Sequence, residues 1–151
     1  MPRRERSFGG LWGAVVGDAL GVPIEFKSWA AIAQVPVTEM RGYGTHQQPP
    51  GTWSDDSSLL LCTAESLLNG FDLQDLGRRF VRWLDERYWT PWGQVFDVGI
   101  TTREAIRRIA QGGAPEQAGS SSEQSNGNGS LMRILPVALR YADAPVPELA
   151  E

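Results

Sequence analysis

The chain has 151 residues, of which 41% are hydrophobic and 21% charged. These values exclude a disordered chain, which combines few apolar residues with a large charge imbalance. Acidic residues outnumber basic residues by 18 to 14, and this disfavours a nucleic-acid partner. Cys62 is the only cysteine, so nothing indicates an oxidising compartment. Four glycines interrupt the apolar stretch 8–20, so we expect no membrane span or signal peptide there and a cytoplasmic protein.

The first elements in chain order are a helix and a long irregular segment. Apolar residues recur at helical spacing over residues 8–20, with Ser7 as the predicted N-cap. Prolines and glycines then punctuate residues 22–53, where only a short helix over 29–34 is predicted. A mostly buried helix follows over 55–68, closed by the pair Asn69 and Gly70.

Five more segments complete the predicted fold. Asp72 caps a helix with an apolar stripe, and Thr101 or Thr102 begins another that Gly112 and Gly113 end. Residues 112–130 form a loop rich in Gly, Ser and Asn, after which Ser130 caps a last helix with Leu131 facing inward. Pro147 and the acids after it predict the start of one more helix at residue 147. No segment has the alternating pattern of a strand, so we predict one all-α domain over 1–151.

A hydroxyl and two carboxylates stand together in the run Ser54, Asp55 and Asp56, directly before an apolar helix. At a helix N-terminus such side chains project past the end and can converge, and their hard oxygens suit Mg²⁺, Mn²⁺ or Ca²⁺. The alternative is ordinary helix-start chemistry, with Ser54 as the N-cap and the acids beside the helix dipole.

Two further acids lie in apolar surroundings. Asp18 is on the otherwise apolar first helix, and Glu25 follows the end of that helix between Ile24 and Phe26. Such carboxylates need partners, and a metal or a ligand hydroxyl would serve. A cap or a salt bridge to Lys27 is the alternative.

The third candidate is the run NGNGSLMR at 126–133. Main-chain N–H groups in a Gly-rich turn before a helix favour a phosphate or diphosphate, and Arg133 could add charge-assisted hydrogen bonds. A flexible loop with a serine cap is the alternative. Asp97, at a loop-to-helix junction, is by itself a capping acid, and His46, the only histidine, is a loop residue.

The order of these motifs is more specific than any one of them. The sequence contains GDALG at 17–21 with Glu25 after it, WSDDS at 53–57, DVGITT at 97–102 and NGNGSLMR at 126–133. In this order they resemble the ADP-ribosylglycohydrolase family, which includes the dinitrogenase-reductase-activating glycohydrolases, the ADP-ribosyl-acceptor hydrolases and the J1 crystallins. The resemblance runs from about residue 8 to residue 141.

The resemblance implies a compact orthogonal helical bundle with two Mg²⁺ or Mn²⁺ ions at the base of an ADP-ribose cleft. The implied metal ligands are Ser54, Asp55 and Asp56. The implied catalytic residues are Glu25, Asp56 and Asp97. The implied substrate-binding residues are Asp18, Gly127, Asn128, Gly129, Ser130 and Met132. The implied reaction removes ADP-ribose from a protein or small molecule by cleaving the C1″ N- or O-glycosidic bond, through an oxocarbenium-like state that carboxylates stabilise.

One departure from the family pattern concerns length. The family completes its dinuclear site with an Asp-x-Asp motif far downstream, and this sequence contains no Asp-x-Asp. We therefore expect this sequence to correspond to the N-terminal half of the family domain. It would be a fragment, a natural truncation or one part of a split enzyme. As a consequence we expect self-association or a complementing chain. A non-catalytic ADP-ribose or nucleotide binder, a crystallin-like structural protein and an inactive fragment remain alternatives.

Overall fold

The computed structural model of the protein describes residues 3–145. Within that range the chain forms six α-helices and three short 3₁₀ turns and no strand, which confirms the all-α prediction. The helices are α1 (Arg3–Gly21), α2 (Trp29–Gln34), α3 (Asp55–Ser66), α4 (Leu73–Glu86), α5 (Ile100–Ala110) and α6 (Leu135–Arg140). The 3₁₀ turns are Val22–Ile24, Leu67–Asn69 and Pro115–Gln117. The helix predicted to begin at Pro147 lies outside the described residues.

The hydrophobic core lies around α3. Leu59 and Cys62 of α3 are completely buried and pack with Phe80 and Trp83 of α4 and Ile106 of α5. Because α3 contacts α1, α4 and α6, it is the central helix of the described chain. Cys62 is a packed core thiol, and burial raises its pKa to about 12, so the thiol is inert.

Local sequence signals set the ends of the middle helices. The side chain of Ser28 accepts a hydrogen bond from the N–H of Ala31, and α2 has the predicted bounds. The side chain of Asp72 accepts from two N–H groups in the first turn of α4. Gly70 has a φ of +105°, a conformation that favours glycine, which explains why the chain turns after the Leu67–Asn69 segment.

The predicted starts of α1 and α6 are wrong, whereas α5 begins at Ile100, next to the predicted Thr101. Helix α1 begins at Arg3 rather than after Ser7, because the residues before Ser7 are mainly good helix formers. Helix α6 begins at Leu135, and Ser130 does not cap it. The N–H groups of Leu131 and Met132 both bond to the carbonyl of Asn128, so residues 128–133 form turns before Pro136 sets the helix start. As a result Leu131 is 71% exposed instead of facing inward.

Helix α1 is unusually exposed for an apolar helix. The most apolar window of 18 residues within Arg4–Ile24 has a mean hydropathy of 1.2, and only 17% of that window is buried. By length and composition alone this helix is long enough to cross a membrane, a property shared by core helices of soluble proteins and by N-terminal signals. The expectation of no membrane span considered only the glycine-interrupted residues 8–20. Helix α1 is longer than that stretch, since it runs from Arg3 to Gly21.

Candidate functional site

Asp18 of α1 organises the N-terminus of α3. Its carboxylate accepts hydrogen bonds from the backbone N–H groups of Ser54 and Ser57, at 2.9 and 3.0 Å. It also accepts from both serine hydroxyls, at 2.8 and 2.6 Å. Asp18 thus acts as a capping acid supplied by another helix, and its predicted contact with substrate stays a prediction.

The two acids of the first turn of α3 carry charge that is poorly compensated. Asp55 is buried, and its pKa is raised to about 8, first by burial and then by repulsion from Asp56, Asp97 and Asp18. Burial and the charge of Asp18 also raise the pKa of Asp56, against a hydrogen bond with Ser54 that lowers it. A site that raises the pKa of neighbouring carboxyls in this way is electrostatically suited to a cation.

The oxygen donors at this position fit a hard divalent cation. The hydroxyl of Ser54 donates to Asp18 and accepts from the N–H of Asp56 at 3.2 Å, so one of its two lone pairs is left for a ligand. Carboxylate and hydroxyl oxygens are the ligands that Mg²⁺ and Mn²⁺ prefer. Ser54, Asp55 and Asp56 remain the predicted metal ligands.

Glu25, His46 and Asp97 form a second cluster beside the first. The Nε2 atom of His46 lies 2.6 Å from Oε2 of Glu25 and 3.6 Å from Oδ1 of Asp97. One ligand atom from each of the three residues lies within 4.8 Å of the others, so this group could hold a metal ion. The alternative partner of Glu25 that the sequence suggested, Lys27, is replaced by His46.

The loop over residues 43–48 brings His46 to Glu25. A Cβ on Gly44 would lie 1.9 Å from the carbonyl oxygen of Pro23, so only glycine allows this close approach. The N–H of Thr45 then donates to that same carbonyl, and its hydroxyl donates to the carbonyl of Glu25 at 2.7 Å. The imidazole of His46 packs against Phe96, with ring centroids 5.3 Å apart.

Asp97 is held in a strained backbone conformation. Its φ is +62°, in the left-handed region where non-glycine residues are uncommon, although aspartate is among the more tolerant of them. Burial, a hydrogen bond with Glu25 and the charge of Glu25 raise the pKa of Asp97 to about 6, while His46 acts in the opposite direction. A carboxyl with this pKa is partly protonated near neutral pH, which is the property of a general acid or base.

Two cavities meet at these acids. One has a volume of about 610 Å³ and lies along α1, where it includes Asp18 and Ser54. The other has a volume of about 560 Å³ and lies against the loop before α6. Both cavities are lined by the residues Glu25, Phe26, Asp56, Asp97 and Met132.

The predicted phosphate loop lines the second cavity. Gly127, Asn128, Gly129, Ser130 and Met132 all lie on its wall, together with Thr101 and Thr102 of α5. A Cβ on Gly129 would lie 2.7 Å from the hydroxyl of Thr102, so the loop is closely packed there. The loop does not lead into a helix N-terminus as predicted, because residues 128–133 are turns.

Arg133 also lines this cavity, but its side chain points towards the core. The guanidinium lies 5.0 Å from the ring centroid of Phe80, and burial lowers its pKa while the charge of Asp55 raises it. The positive charge of Arg133 thus partly compensates the negative charge of Asp55 in the acid cluster.

The structure therefore brings together residues that the sequence separated into four motifs. Glu25, Asp56 and Asp97 line both cavities, and the loop residues line the second together with Asp55 and Asp56. Sequence analysis missed His46 at the site. One feature of the sequence could have indicated it: the only histidine lies in a glycine- and proline-rich segment shortly before the run Ser54 to Asp56. No local pattern, however, links this histidine to Glu25.

Comparison with known proteins identifies the family. The ADP-ribosylglycohydrolase family profile matches residues 1–151. The ADP-ribosyl-(dinitrogen reductase) glycohydrolase of Rhodospirillum rubrum is 36% identical over 145 residues, which are 93% of this chain and 46% of that protein. The ADP-ribosylarginine hydrolase Tri1 of Serratia proteamaculans is 31% identical over 137 residues, 89% of this chain and 36% of that protein.

A solved structure has the same fold. It is described as an ADP-ribosylglycohydrolase-related protein complex, and it matches with a TM-score of 0.76 and 42% identity over 95% of this chain and 45% of that chain. The chain spans between 36 and 46% of the length of the relatives it matches. It belongs to the ADP-ribosylglycohydrolase family.

Proposed function

We propose that this chain provides the acid cluster and the ligand loop of a metal-dependent hydrolase that removes ADP-ribose from an acceptor. The observation that carries the proposal is the convergence of Glu25, Asp56 and Asp97 between two cavities, one of which is lined by the glycine-rich loop. The relatives are glycohydrolases or hydrolases of ADP-ribosylated groups by name, which supports the same reaction class here.

The 560 Å³ cavity is the proposed ADP-ribose site. Its volume is in the range of ligand pockets. Gly127, Asn128 and Gly129 line this cavity, and the backbone N–H groups of a glycine-rich turn suit a diphosphate. The acids line the same cavity, so a diphosphate held by the loop would leave the distal ribose within the cavity that Asp56 and Asp97 line. Binding at the phosphates then positions the anomeric carbon.

Mg²⁺ or Mn²⁺ is the proposed cofactor, held by Ser54, Asp55 and Asp56. When bound, such an ion orients ribose hydroxyls and lowers the pKa of a coordinated water. The side chains of the protein supply the remaining charge stabilisation and proton transfer. Asp56 and Glu25 place negative charge where the oxocarbenium-like state develops, and Asp97 exchanges a proton with the leaving group or the water.

The N- or O-glycosidic C1″ bond is cleaved between ADP-ribose and its acceptor. Because the chain spans under half the length of its relatives, we expect weak divalent-ion binding and slow turnover from the chain alone. Calorimetry with Mn²⁺ that showed two sub-micromolar sites would contradict this expectation.

The decisive experiment is a titration of the full chain with ADP-ribose, with and without Mn²⁺. We expect Mn²⁺ to raise the affinity for ADP-ribose at least about tenfold, equivalent to 1.4 kcal/mol. Asp56→Asn should abolish that gain, because it removes a proposed metal ligand and leaves the loop intact. Asp85→Asn on the exposed face of α4 is the matched control and should keep the gain.

Other outcomes separate the alternatives. Tight binding of ADP-ribose that is independent of Mn²⁺ and of Asp56 would indicate a binding module. No binding of either ligand would indicate a structural protein. Release of free ADP-ribose from ADP-ribosylarginine in the presence of Mn²⁺, lost in Asp97→Asn, would demonstrate hydrolysis directly.

A further inference from the structure

Every asparagine of the chain stands directly before a glycine. The three pairs are Asn69 with Gly70, Asn126 with Gly127, and Asn128 with Gly129. In such a pair the backbone nitrogen of the glycine can attack the side-chain amide carbon of the asparagine, because glycine has no Cβ that hinders the approach. This reaction is one reason why asparagine is a labile residue. The chain therefore contains three positions at which the same chemistry can be compared.

The attack requires a peptide group that can turn towards the side chain. A hydrogen bond at the N–H or at the carbonyl of that group opposes the turn, because it must break before the nitrogen can approach. Exposed loops without such bonds meet the requirement, whereas helix ends and closely packed turns do not. The hydrogen bonds at the three pairs therefore decide which of them reacts.

The pair at the end of α3 is held at its nitrogen. The N–H of Gly70 donates to the carbonyl of Leu67 at 3.3 Å, at the end of the Leu67–Asn69 turn. Asn69 is itself exposed, so exposure alone does not distinguish this pair from the other two. The bond to Leu67 fixes the nitrogen that would have to attack.

The pair Asn128 and Gly129 is held at its carbonyl. The carbonyl of Asn128 accepts from the N–H groups of Leu131 and Met132, at 2.8 and 3.2 Å. That carbonyl and the N–H of Gly129 belong to one peptide group, so the two bonds fix both. A Cβ on Gly129 would also lie 2.7 Å from the hydroxyl of Thr102, which shows that the chain has little space to move there.

The pair Asn126 and Gly127 is free by comparison. Both residues are exposed, and a Cβ on Gly127 would meet no atom within 4 Å. Within residues 3–145 neither the carbonyl of Asn126 nor the N–H of Gly127 makes a backbone hydrogen bond. The side-chain nitrogen of Asn126 donates to the carbonyl of Glu123, three positions earlier on the exposed loop. That bond leaves the attacking nitrogen unconstrained.

We propose that Asn126 is a site of spontaneous deamidation that disables the ligand loop. The nitrogen of Gly127 forms a bond to Cγ of Asn126, and the bond from Cγ to the side-chain nitrogen breaks. Ammonia leaves with the proton of the backbone N–H, and a succinimide ring remains. Water then adds its oxygen to one ring carbonyl and its proton to the ring nitrogen, so the ring opens to aspartate or isoaspartate. Water is the only co-reactant.

The reaction changes the loop at the wall of the proposed ADP-ribose site. Ser125 and Gly127, on either side of Asn126, line the 560 Å³ cavity. Either product brings a negative charge to a loop that is proposed to hold a diphosphate, and isoaspartate also lengthens the main chain. Because like charges repel and the N–H groups lose their arrangement, ADP-ribose binds more weakly. This consequence rests on the proposed function, whereas the deamidation rests on the loop alone.

Peptide mapping by mass spectrometry measures the reaction at all three pairs in one sample. The full chain is incubated in mildly alkaline buffer, and trypsin then releases Asn69 in the peptide 42–78 and both loop asparagines in the peptide 109–133. Fragmentation of the second peptide separates Asn126 from Asn128. We expect Asn126 to convert at least about tenfold faster than either other asparagine, since no backbone hydrogen bond has to break.

The same incubation in urea is the control for the structural cause. Unfolding removes the hydrogen bonds at Gly70 and at Asn128, so the three rates should converge. A difference that persists in urea would originate in the neighbouring residues and would overturn the structural argument.

Two variants connect the reaction with ligand binding. In Asn126→Gln the attack would have to form a larger ring, which is much slower. After incubation the unsubstituted chain should bind ADP-ribose at least about tenfold more weakly than before, measured by calorimetry. Asn126→Gln should keep the affinity that it had before incubation. Asn69→Gln is the matched control and should lose affinity as the unsubstituted chain does.

The two measurements fail in different ways. Conversion at Asn69 or Asn128 as fast as at Asn126, or no conversion at all, would overturn the assignment of the site. Equal ADP-ribose affinity before and after conversion of Asn126 would overturn its effect on the loop. A chain that binds no ADP-ribose before incubation would contradict the proposed function, and the mass spectra would still decide whether Asn126 is the reactive residue.

Discussion

The two walls of the proposed ADP-ribose cavity are built in different ways. The N-terminus of α3 is fixed by Asp18, a residue 36 to 39 positions away in the sequence, through four hydrogen bonds. The hydrogen bonds of the loop over residues 119–133 join residues at most four apart, and most of the loop is exposed. The acid wall is therefore preorganised, whereas the loop must lose conformational freedom when a ligand binds.

Removing Asp18, which caps α3 from another helix, should have the largest effect on the preorganised acid wall. Asp18→Ala leaves the N–H groups of Ser54 and Ser57 without their acceptor in a buried position. We expect the free energy of unfolding to fall by about 2–4 kcal/mol, because each buried donor loses a charged partner. Urea unfolding measures the change. Glu39→Ala, at an exposed position, should alter it by less than about 0.5 kcal/mol, and an equal loss in both variants would contradict the capping role.

The preorganised wall should also make stability depend on pH. Burial and like charges raise the pKa of Asp55 to about 8 and that of Asp97 to about 6, whereas both titrate near 3.9 in an unfolded chain. Between these values the folded state binds more protons than the unfolded state, so stability falls as pH rises. Without divalent ions we expect a loss on the order of 3 kcal/mol between about pH 5 and about pH 8, measured by urea unfolding.

Asp55→Asn tests the source of that pH dependence. The variant removes the charge that is most strongly disfavoured, so most of the slope should disappear. Asp85→Asn, in the exposed part of α4, should retain it. In the unsubstituted chain, Mn²⁺ added at about pH 8 should recover much of the lost stability, because a bound cation favours the ionised carboxylates. Stability that rose with pH would show that the charges of the cluster are compensated.

On the loop side, two neighbouring glycines form a matched pair. A Cβ at Gly129 would lie 2.7 Å from the hydroxyl of Thr102, whereas a Cβ at Gly127 would meet nothing within 4 Å. Gly129→Ala should therefore displace the loop and weaken ADP-ribose binding about tenfold, or 1.4 kcal/mol. Gly127→Ala should have a much smaller effect. Calorimetric titration of both variants measures the difference, and equal affinities would show that the loop position does not matter for the ligand.

The smallest effect is expected at Leu131. Sequence analysis placed this residue in the core, but it is 71% exposed on the turn before α6. Leu131→Ser should change the free energy of unfolding by less than about 0.5 kcal/mol, because little apolar burial is lost. Leu59→Ala, at a fully buried position of α3, should cost about 2–5 kcal/mol in the same measurement. A comparable loss at both positions would contradict the exposed turn.

The elements that sequence analysis predicted well are those with local causes. Ser28 and Asp72 act as N-caps through hydrogen bonds to residues two or three positions away, and Gly70 supplies a conformation that its own lack of a side chain allows. The helix starts of α1 and α6 failed because propensity and the position of Pro136 outweighed the serine caps.

The candidate site likewise has features that the sequence predicts and features that depend on the tertiary structure. The sequence by itself determined the all-α class, the family and the acids that converge, because motif order and residue type are properties of the chain alone. Only the tertiary structure decided that Asp18 caps α3, that Gly44 brings His46 to Glu25, and that Asp97 lies beside Glu25 and His46. These contacts join residues far apart in the chain, and their geometry arises from the packing of whole helices and loops, which no local pattern encodes.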